Sequence, residues 1–426
     1  MAIGGMESKF AIQNPSRTLL VSAEIGIVLA VFFAPFWLTV QICEVFFVYT
    51  LDDPYIHLAL ARSITHGTYG INDGASAAPS SSIMWPFVLV PFGYLPDKIF
   101  ELIPLVINTC CLVASVCLLV RLMPRHLNST IVLLGSLGLV LGLNLIGLVL
   151  NGMEHSLQVL VVLIMMNGLF ELHPDEKGEE PSTVWRWAFY LGLAVLPLIR
   201  YEGLALSVPL LAWRFVAGDR NAALAAAAFI TITLGAFSAF LWSNGLGILP
   251  SSVLAKSEPN GGFHFLGAFL GQVESFWPLF ASACVLSAIL YLRGARALGA
   301  VVFVATLLQF AYGRFGWFGR YEIYWLTFVM ILLVRETARV LPLFTPLVPL
   351  LAIGLDQAWT ATLYSPLGSQ NIYSQQVQSA RIARFLDGPV AINDLGPRCP
   401  ARQKRCARPL WSWLTGGPAL AAKQSR

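Results

Sequence analysis

The apolar residues of this chain are grouped in long runs separated by short polar stretches. The first run extends from Leu19 to about Ile42, and others cover 81–95, 98–120, 130–150, 155–170, 186–199, 203–216, 222–243, 266–292, 297–312, 322–334 and 341–363. A helix crossing the hydrocarbon core of a bilayer needs about 20 residues of this kind, and lipid permits only helices or closed barrels to span it. The pattern predicts an all-α polytopic membrane protein. Ser81–Leu95 departs from it, being short and holding Pro86 and Pro91, which suits a re-entrant or interfacial segment better than a span. Without it the count is about eleven transmembrane helices, in a range of ten to twelve. No internal repeat, heptad or low-complexity tract interrupts the pattern.

Composition agrees: 57% of the 426 residues are hydrophobic and 12% charged, with a mean hydropathy of +0.70. A water-soluble protein has too few polar residues here to cover so much apolar surface. Lys9 and Arg17 precede the first run, which is too long for a signal-peptide core, so residues 1–18 are expected in the cytoplasm. With 81–95 kept from crossing, Arg121/Arg125, the acidic-rich loop 171–186, Arg214/Arg220, Arg293/Arg296 and Arg335/Arg339 fall on the cytoplasmic side. Four of these five places follow the positive-inside bias. Cys43, Cys110, Cys111, Cys117 and Cys284 lie in or beside apolar runs and read as packing residues, while Cys399 and Cys406 are the pair able to bridge outside.

This orientation brings most of the unusual polar residues to the outer face. In Asp52-Asp53-Pro54-Tyr55, Asp53 reads as a helix cap followed by a first-turn proline, and Ile56, Leu60 and Ile64 as the apolar stripe of a helix on the membrane surface. Asp52 has no such local duty and suits a general base or a cation ligand. Glu154 stands near a helix start, where complementing the dipole competes with a functional role. Arg200 and Glu202 interrupt a long apolar stretch and are expected to pair across a turn through Gly203. Lys256 is the one lysine between residues 178 and 400, a natural partner for a phosphate or a snorkelling interfacial residue. Arg320-Tyr321 opens a span after a glycine-aromatic loop.

No Walker motif, zinc-type His/Cys spacing, Gly-x-Ser-x-Gly or dinucleotide fingerprint is present. No nucleotide or redox cofactor and no nucleic-acid partner are expected. A divalent cation is left open: Asp52 and Asp53 could hold one but supply too few ligands alone.

The order of motifs resembles the GT-C superfamily, polytopic glycosyltransferases that use polyprenyl-phosphate sugars, and most of all the branch with mycobacterial cell-wall arabinosyltransferases. Asp52-Asp53-Pro-Tyr-Ile, Ala61-Arg62, His66-Gly67-Thr-Tyr-Gly70-Ile-Asn72 and Ala78-Pro79-Ser-Ser-Ser-Ile-Met-Trp85-Pro86 resemble its first outer loop. Gly152-Met153-Glu154, Arg200-Tyr201-Glu202-Gly203, Leu249-Pro250-Ser-Ser-Val-Leu-Ala255-Lys256 and Gly319-Arg320-Tyr321 follow in the family's order, so the likeness covers about residues 50–325. His155, Tyr201 and Ser251 depart from the usual threonine, proline and asparagine.

The resemblance implies an inverting sugar transfer at the outside of a bacterial inner membrane, to a cell-envelope glycan, glycolipid or protein. It gives residues 19–363 to the transmembrane domain and 43–80 to its catalytic loop. Asp52 is then the base and Asp53 an alternative acid. Lys256, Arg200 and Arg320 would bind the donor phosphate. Glu154 and Glu202 would meet sugar hydroxyls, an arginine or a divalent cation, and His57, Arg62 and Tyr321 would contact substrate. The competing class is a transporter or flippase of lipid-linked or small polar solutes, which predicts symmetric halves; none are visible.

Residues 364–396 resemble the start of a small periplasmic α/β segment, with a helix over 369–387 and a strand and turn over 389–396. Beyond Gly396 the pattern stops. Seven of the 27 basic residues lie there with no acid, leaving 20 basic against 23 acidic groups before it. Residues 397–426 are either a genuine basic tail touching anionic lipid or glycan or the product of a reading frame shifted near Gly396 that truncates the domain.

Overall fold

The computed structural model describes residues 15–44, 47–72, 75–172, 182–256, 262–316, 319–349, 355–383, 385, 390–391 and 406–407. These residues are almost wholly helical; Val390–Ala391 and Cys406–Ala407 form a two-residue parallel pairing. Among the described residues, five helical stretches are long and apolar enough to cross a membrane: Arg17–Ile42, Asp97–Leu122, Ser129–Asn151, His155–Leu172 and Arg220–Ser243. A sixth is formed if Leu266–Ser275 and Trp277–Leu292 count as one. The sequence shows 266–292 as a single run, but the helix breaks at Phe276 and turns by 92°. Pro278 follows in the first turn of the second half, where a missing N–H costs nothing and the chain can restart in a new direction.

His155–Leu172 lies at the centre, packed against Thr183–Ile199, Ile103–Leu122 and Ile323–Val340. The last of these is buried from Ile323 to Leu332 without a polar face, as expected of a helix surrounded by other helices. Pro15–Ile42 and Arg220–Ser243 lie at the periphery and leave most of their apolar side chains exposed or half-exposed, the surface a lipid solvent would cover. Ser81–Leu95 becomes a six-residue helix, Met84–Leu89, and a 3-10 turn, Val90–Phe92. Six residues rise about 9 Å, far below a hydrocarbon thickness of about 30 Å.

The Asp53–Thr65 helix packs on protein on two sides. Tyr55, Leu58 and Ala61 pack into one cluster with Trp85 and Leu89, while Leu60 packs into another with Phe237 and Leu241. Its stripe was read from three positions, whereas the surrounding loop and helices bury two faces. Tyr49 pins the preceding loop: its hydroxyl donates to the Glu101 carbonyl (2.7 Å) and accepts from the Leu105 N–H (3.0 Å).

Polar groups gather at both ends of the central helix. At its C-terminal end Arg121 pairs with Glu171, Arg335 donates to the Leu122 carbonyl, and Glu336 holds Arg293 and Arg339. Arg214 and Arg186 meet on Asp219. The other end holds the candidate site. The 18 residues of His155–Leu172 separate the two layers by about 27 Å.

Near the C-terminus, Leu355–Ile372 packs on Pro15–Ile42 and runs through 363 without a break. It continues as a π-helical turn, Tyr373–Val377, and a last helix, Gln378–Ala383. The boundary expected between 363 and 364 thus falls inside a helix. Residues 1–14, most of the 171–186 loop, Cys399, most of the expected strand and turn, and nearly all of the basic tail lie outside the described residues.

Gly152 is a sensitive joint. Its φ is +69°, and a Cβ there would stand 2.4 Å from the Tyr49 ring. Replacing Gly152 with Ala should lower stability by about 1–3 kcal/mol through strain and overpacking, read as a lower unfolding temperature in detergent, whereas Gly267→Ala, where a Cβ meets open space, should not.

Candidate functional site

Arg200 ends the Thr183–Ile199 helix in extended backbone (φ −153°, ψ 139°) and is followed by a 3-10 turn, Tyr201–Gly203. The turn needs Gly203, because a Cβ there would meet the Leu196 carbonyl at 2.8 Å. The extended residue places its side chain in the protein interior. Arg200 Nη1 donates to Glu154 Oε1 (2.9 Å) and Ser81 Oγ (3.3 Å), and Nη2 and Nε donate to the two oxygens of Glu202 (2.9 and 3.3 Å). Burial alone would lower the guanidinium's pKa, but Glu202 and Glu154 outweigh it and hold the group above its ordinary value.

Glu154 follows the left-handed turn at Gly152 and precedes the central helix. It is fully buried, and its second oxygen lies 3.7 Å from His57 Nε2. His57 Nδ1 in turn lies 3.2 Å from Ser80 Oγ. Asn108 fixes the turn by donating to the Met153 carbonyl (2.9 Å).

Arg320 completes the network. It pairs with Asp53 through Nη1 (2.7 Å), and its Nη2 donates to the Tyr321 hydroxyl (3.0 Å). Both Arg320 and Arg200 lie over the Tyr321 ring, at 4.9 and 5.3 Å from its centroid, where the quadrupole of the ring favours cations. Burial opposes the charge on Arg320, yet Asp53 raises its pKa on balance. Its Nε and Nη1 are buried without a hydrogen bond among the described residues; Nη1 meets Asp53 as an ion pair only.

The structure therefore joins Asp53, His57, Glu154, Arg200, Glu202, Arg320 and Tyr321 in one cluster. The Leu249–Lys256 motif is tied to the Ala78–Pro86 segment by Ser251, whose N–H and hydroxyl both donate to the Ala78 carbonyl (3.0 and 2.9 Å). Lys256 closes the short Ser251–Lys256 helix, and its side chain lies outside the described residues. Asp52 is half-buried one residue before the Asp53 helix.

Three expectations change. Asp53 is not the cap: Asp52 occupies that position, with no side-chain cap bond, and Asp53 faces Arg320. Cap statistics describe an isolated helix end, whereas here a guanidinium offers the carboxylate a stronger, charged partner. Arg62 does not reach the cluster; it pairs with Asp97, donates to the Leu95 carbonyl and covers Phe100. Arg200 has its guanidinium committed to two carboxylates, which makes it the frame of the site and a poor phosphate ligand. Glu154 and Glu202 accordingly take the arginine among the partners open to them. The described residues contain no group of three His, Cys, Asp or Glu side chains that could hold a metal ion.

Ser80 and Ser81 were visible inside the Pro79-Ser-Ser-Ser segment, yet no spacing rule gives them partners 23 and 119 residues away.

Comparisons with protein families, with characterised proteins and with solved structures find no match to this chain.

Removing one member of a buried ion-pair network leaves the others uncompensated. Arg200→Ala should cost about 3–5 kcal/mol, seen as loss of folded protein or a sharply lower unfolding temperature. The double replacement Arg200→Met with Glu154→Gln should cost less than the single one.

Proposed function

We propose that this protein is an integral-membrane glycosyltransferase of the GT-C type, moving a sugar from a polyprenyl-phosphate donor to a hydroxyl of a cell-envelope acceptor. The observation that carries the reading is the meeting of four short motifs, spread over residues 52–321, in one charge network, with a fifth bonded to the Ala78–Pro86 segment beside it. Keeping so many charges at the end of an apolar bundle is costly and is ordinarily retained for function. Arg320 supports it further, since its buried Nε has no protein acceptor among the described residues and a guanidinium suits a phosphate.

In this reading Asp52 takes the proton of the acceptor hydroxyl as its oxygen attacks the anomeric carbon. The bond from that carbon to the phosphate oxygen breaks, the anomeric centre inverts, and the phosphate leaves on its lipid against Arg320. Lys256 is retained as a second cation for that phosphate. Asp53 orients Arg320, Glu154 and Glu202 hold Arg200, and Tyr321 separates the two guanidiniums. The proposal includes eleven spans, a cytoplasmic N-terminus and an outward-facing site. The two polar layers lie about one membrane thickness apart, and the arginine-rich one, far from the site, supports that orientation through the positive-inside bias.

In a membrane assay with a polyprenyl-phosphate sugar, Asp52→Asn should reduce transfer by roughly 10²-fold or more, the scale of lost general-base catalysis, with expression intact. Transfer near the wild-type rate would remove Asp52 as base. Arg320→Lys should chiefly raise the donor KM. Reporter fusions should place residue 96 outside and residue 126 in the cytoplasm; the reverse would overturn the orientation.

A further inference from the structure

Arg17 and Arg125 belong neither to the site nor to the ion pairs of the arginine-rich layer at the other end of the central helix. Arg17 stands in the first turn of Pro15–Ile42, and its Nη2 donates to the Pro124 carbonyl (3.3 Å), one residue before Arg125. The two guanidiniums are therefore neighbours, and Arg125 is close enough to repel Arg17. Neither meets a carboxylate among the described residues. The acids of the layer are engaged elsewhere: Glu171 by Arg121, Glu336 by Arg293 and Arg339, Asp219 by Arg186 and Arg214. Glu24, the next acid along the same helix, accepts from Ser136 about two turns further on. Two like charges held side by side without a counterion carry a cost that an anion from outside the chain relieves.

The fold fixes the depth of this pair. Pro15–Ile42 and Ser129–Gly142 run side by side in one direction, since Arg17 meets Pro124 just before the second helix starts and Glu24 meets Ser136 inside it. The guanidiniums thus lie where two apolar runs begin, the level of lipid phosphates. Around them the surface is apolar and uncovered. Leu19 and Leu134 are exposed on the two helices. His126 Nε2 donates to the Ala338 carbonyl (3.1 Å) and so ties the same loop to the end of Ile323–Val340. The turn that follows, Pro342–Leu347, packs on Ser129–Gly142 and leaves Leu343 and Phe344 exposed. A charged pair bordered by apolar surface matches an amphiphile, whereas a soluble phosphate would use the charge alone.

We propose that Arg17 and Arg125 form a binding site for an anionic phospholipid, with the phosphodiester on the two guanidiniums and the acyl chains along the exposed leucines. The bound lipid ties the start of the first helix to the 122–126 loop. That its leaflet is the cytoplasmic one rests on the orientation proposed above; the site itself does not.

Native mass spectrometry of the full-length protein in detergent, titrated with dioleoylphosphatidylglycerol, tests the site. The wild type should keep a lipid adduct that an equal amount of dioleoylphosphatidylcholine does not displace. Arg17→Gln combined with Arg125→Gln should weaken binding roughly thirtyfold, about fivefold for each arginine at an anionic lipid surface. Arg296→Gln, which removes an exposed arginine near Arg293, should leave binding unchanged. If the double variant does not fold, Arg125→Glu, at an exposed turn residue, should weaken binding about fivefold or more. Undiminished binding by these variants, equal weakening by Arg296→Gln, or displacement by phosphatidylcholine overturns the proposal. Competition by glycerol phosphate at the same concentration as the lipid marks a free-phosphate site and overturns it as well. None of these readouts uses sugar transfer, so they stand whether or not the glycosyltransferase reading does.

Discussion

The buried guanidinium of Arg200 is the constraint on which the site depends. It is almost inaccessible to solvent, so its desolvation must be offset by carboxylates at hydrogen-bond distance. Meeting that demand draws Glu154 from the start of the central helix and Glu202 from its own turn. The segment after the first long helix follows, with Ser81 bonded to Arg200 and His57 facing Glu154. Such a network adds little net stability compared with an apolar core of the same volume. What it supplies is registry, because each segment has one position at which its charge is satisfied.

Registry of this kind matters in a protein whose helices otherwise contact one another through Leu, Val and Phe. Apolar packing in lipid distinguishes weakly between neighbouring arrangements, since lipid tails are as apolar as the helix faces. The central helix carries a polar anchor at each end: Glu154 with Arg200 on one side, Glu171 with Arg121 on the other. Together they fix its depth and rotation. The peripheral helices have few such anchors and are correspondingly exposed.

Helix existence was largely legible in the sequence, because a run of apolar residues in lipid has no alternative to internal hydrogen bonding. Length was less so. Leu355–Ile372 runs beyond its apolar run, and 266–292 is interrupted where Pro278 restarts a helix. Within the site, the Arg200–Glu202 pairing could be read locally, since two residues of separation across a turn is a near-neighbour relation. The Asp53–Arg320 pair could not, because 267 residues separate its members and a local rule, helix capping, offered Asp53 a different task. The same holds for Arg62, which lies in a suggestive motif but faces Asp97. Motif membership places a residue near a site, while the direction of its side chain depends on the helix turn it occupies.

The sequence by itself determined the solvent of this protein, its helical class and the positions along the chain where charge is too costly to be incidental. These follow from composition and local order, which do not change on folding. Only the tertiary structure decided which charges compensate one another. Pairing energy depends on distances of a few ångströms between segments far apart in the chain. It therefore committed Arg200 to Glu154 and Glu202, paired Arg320 with Asp53 and brought His57 against Glu154.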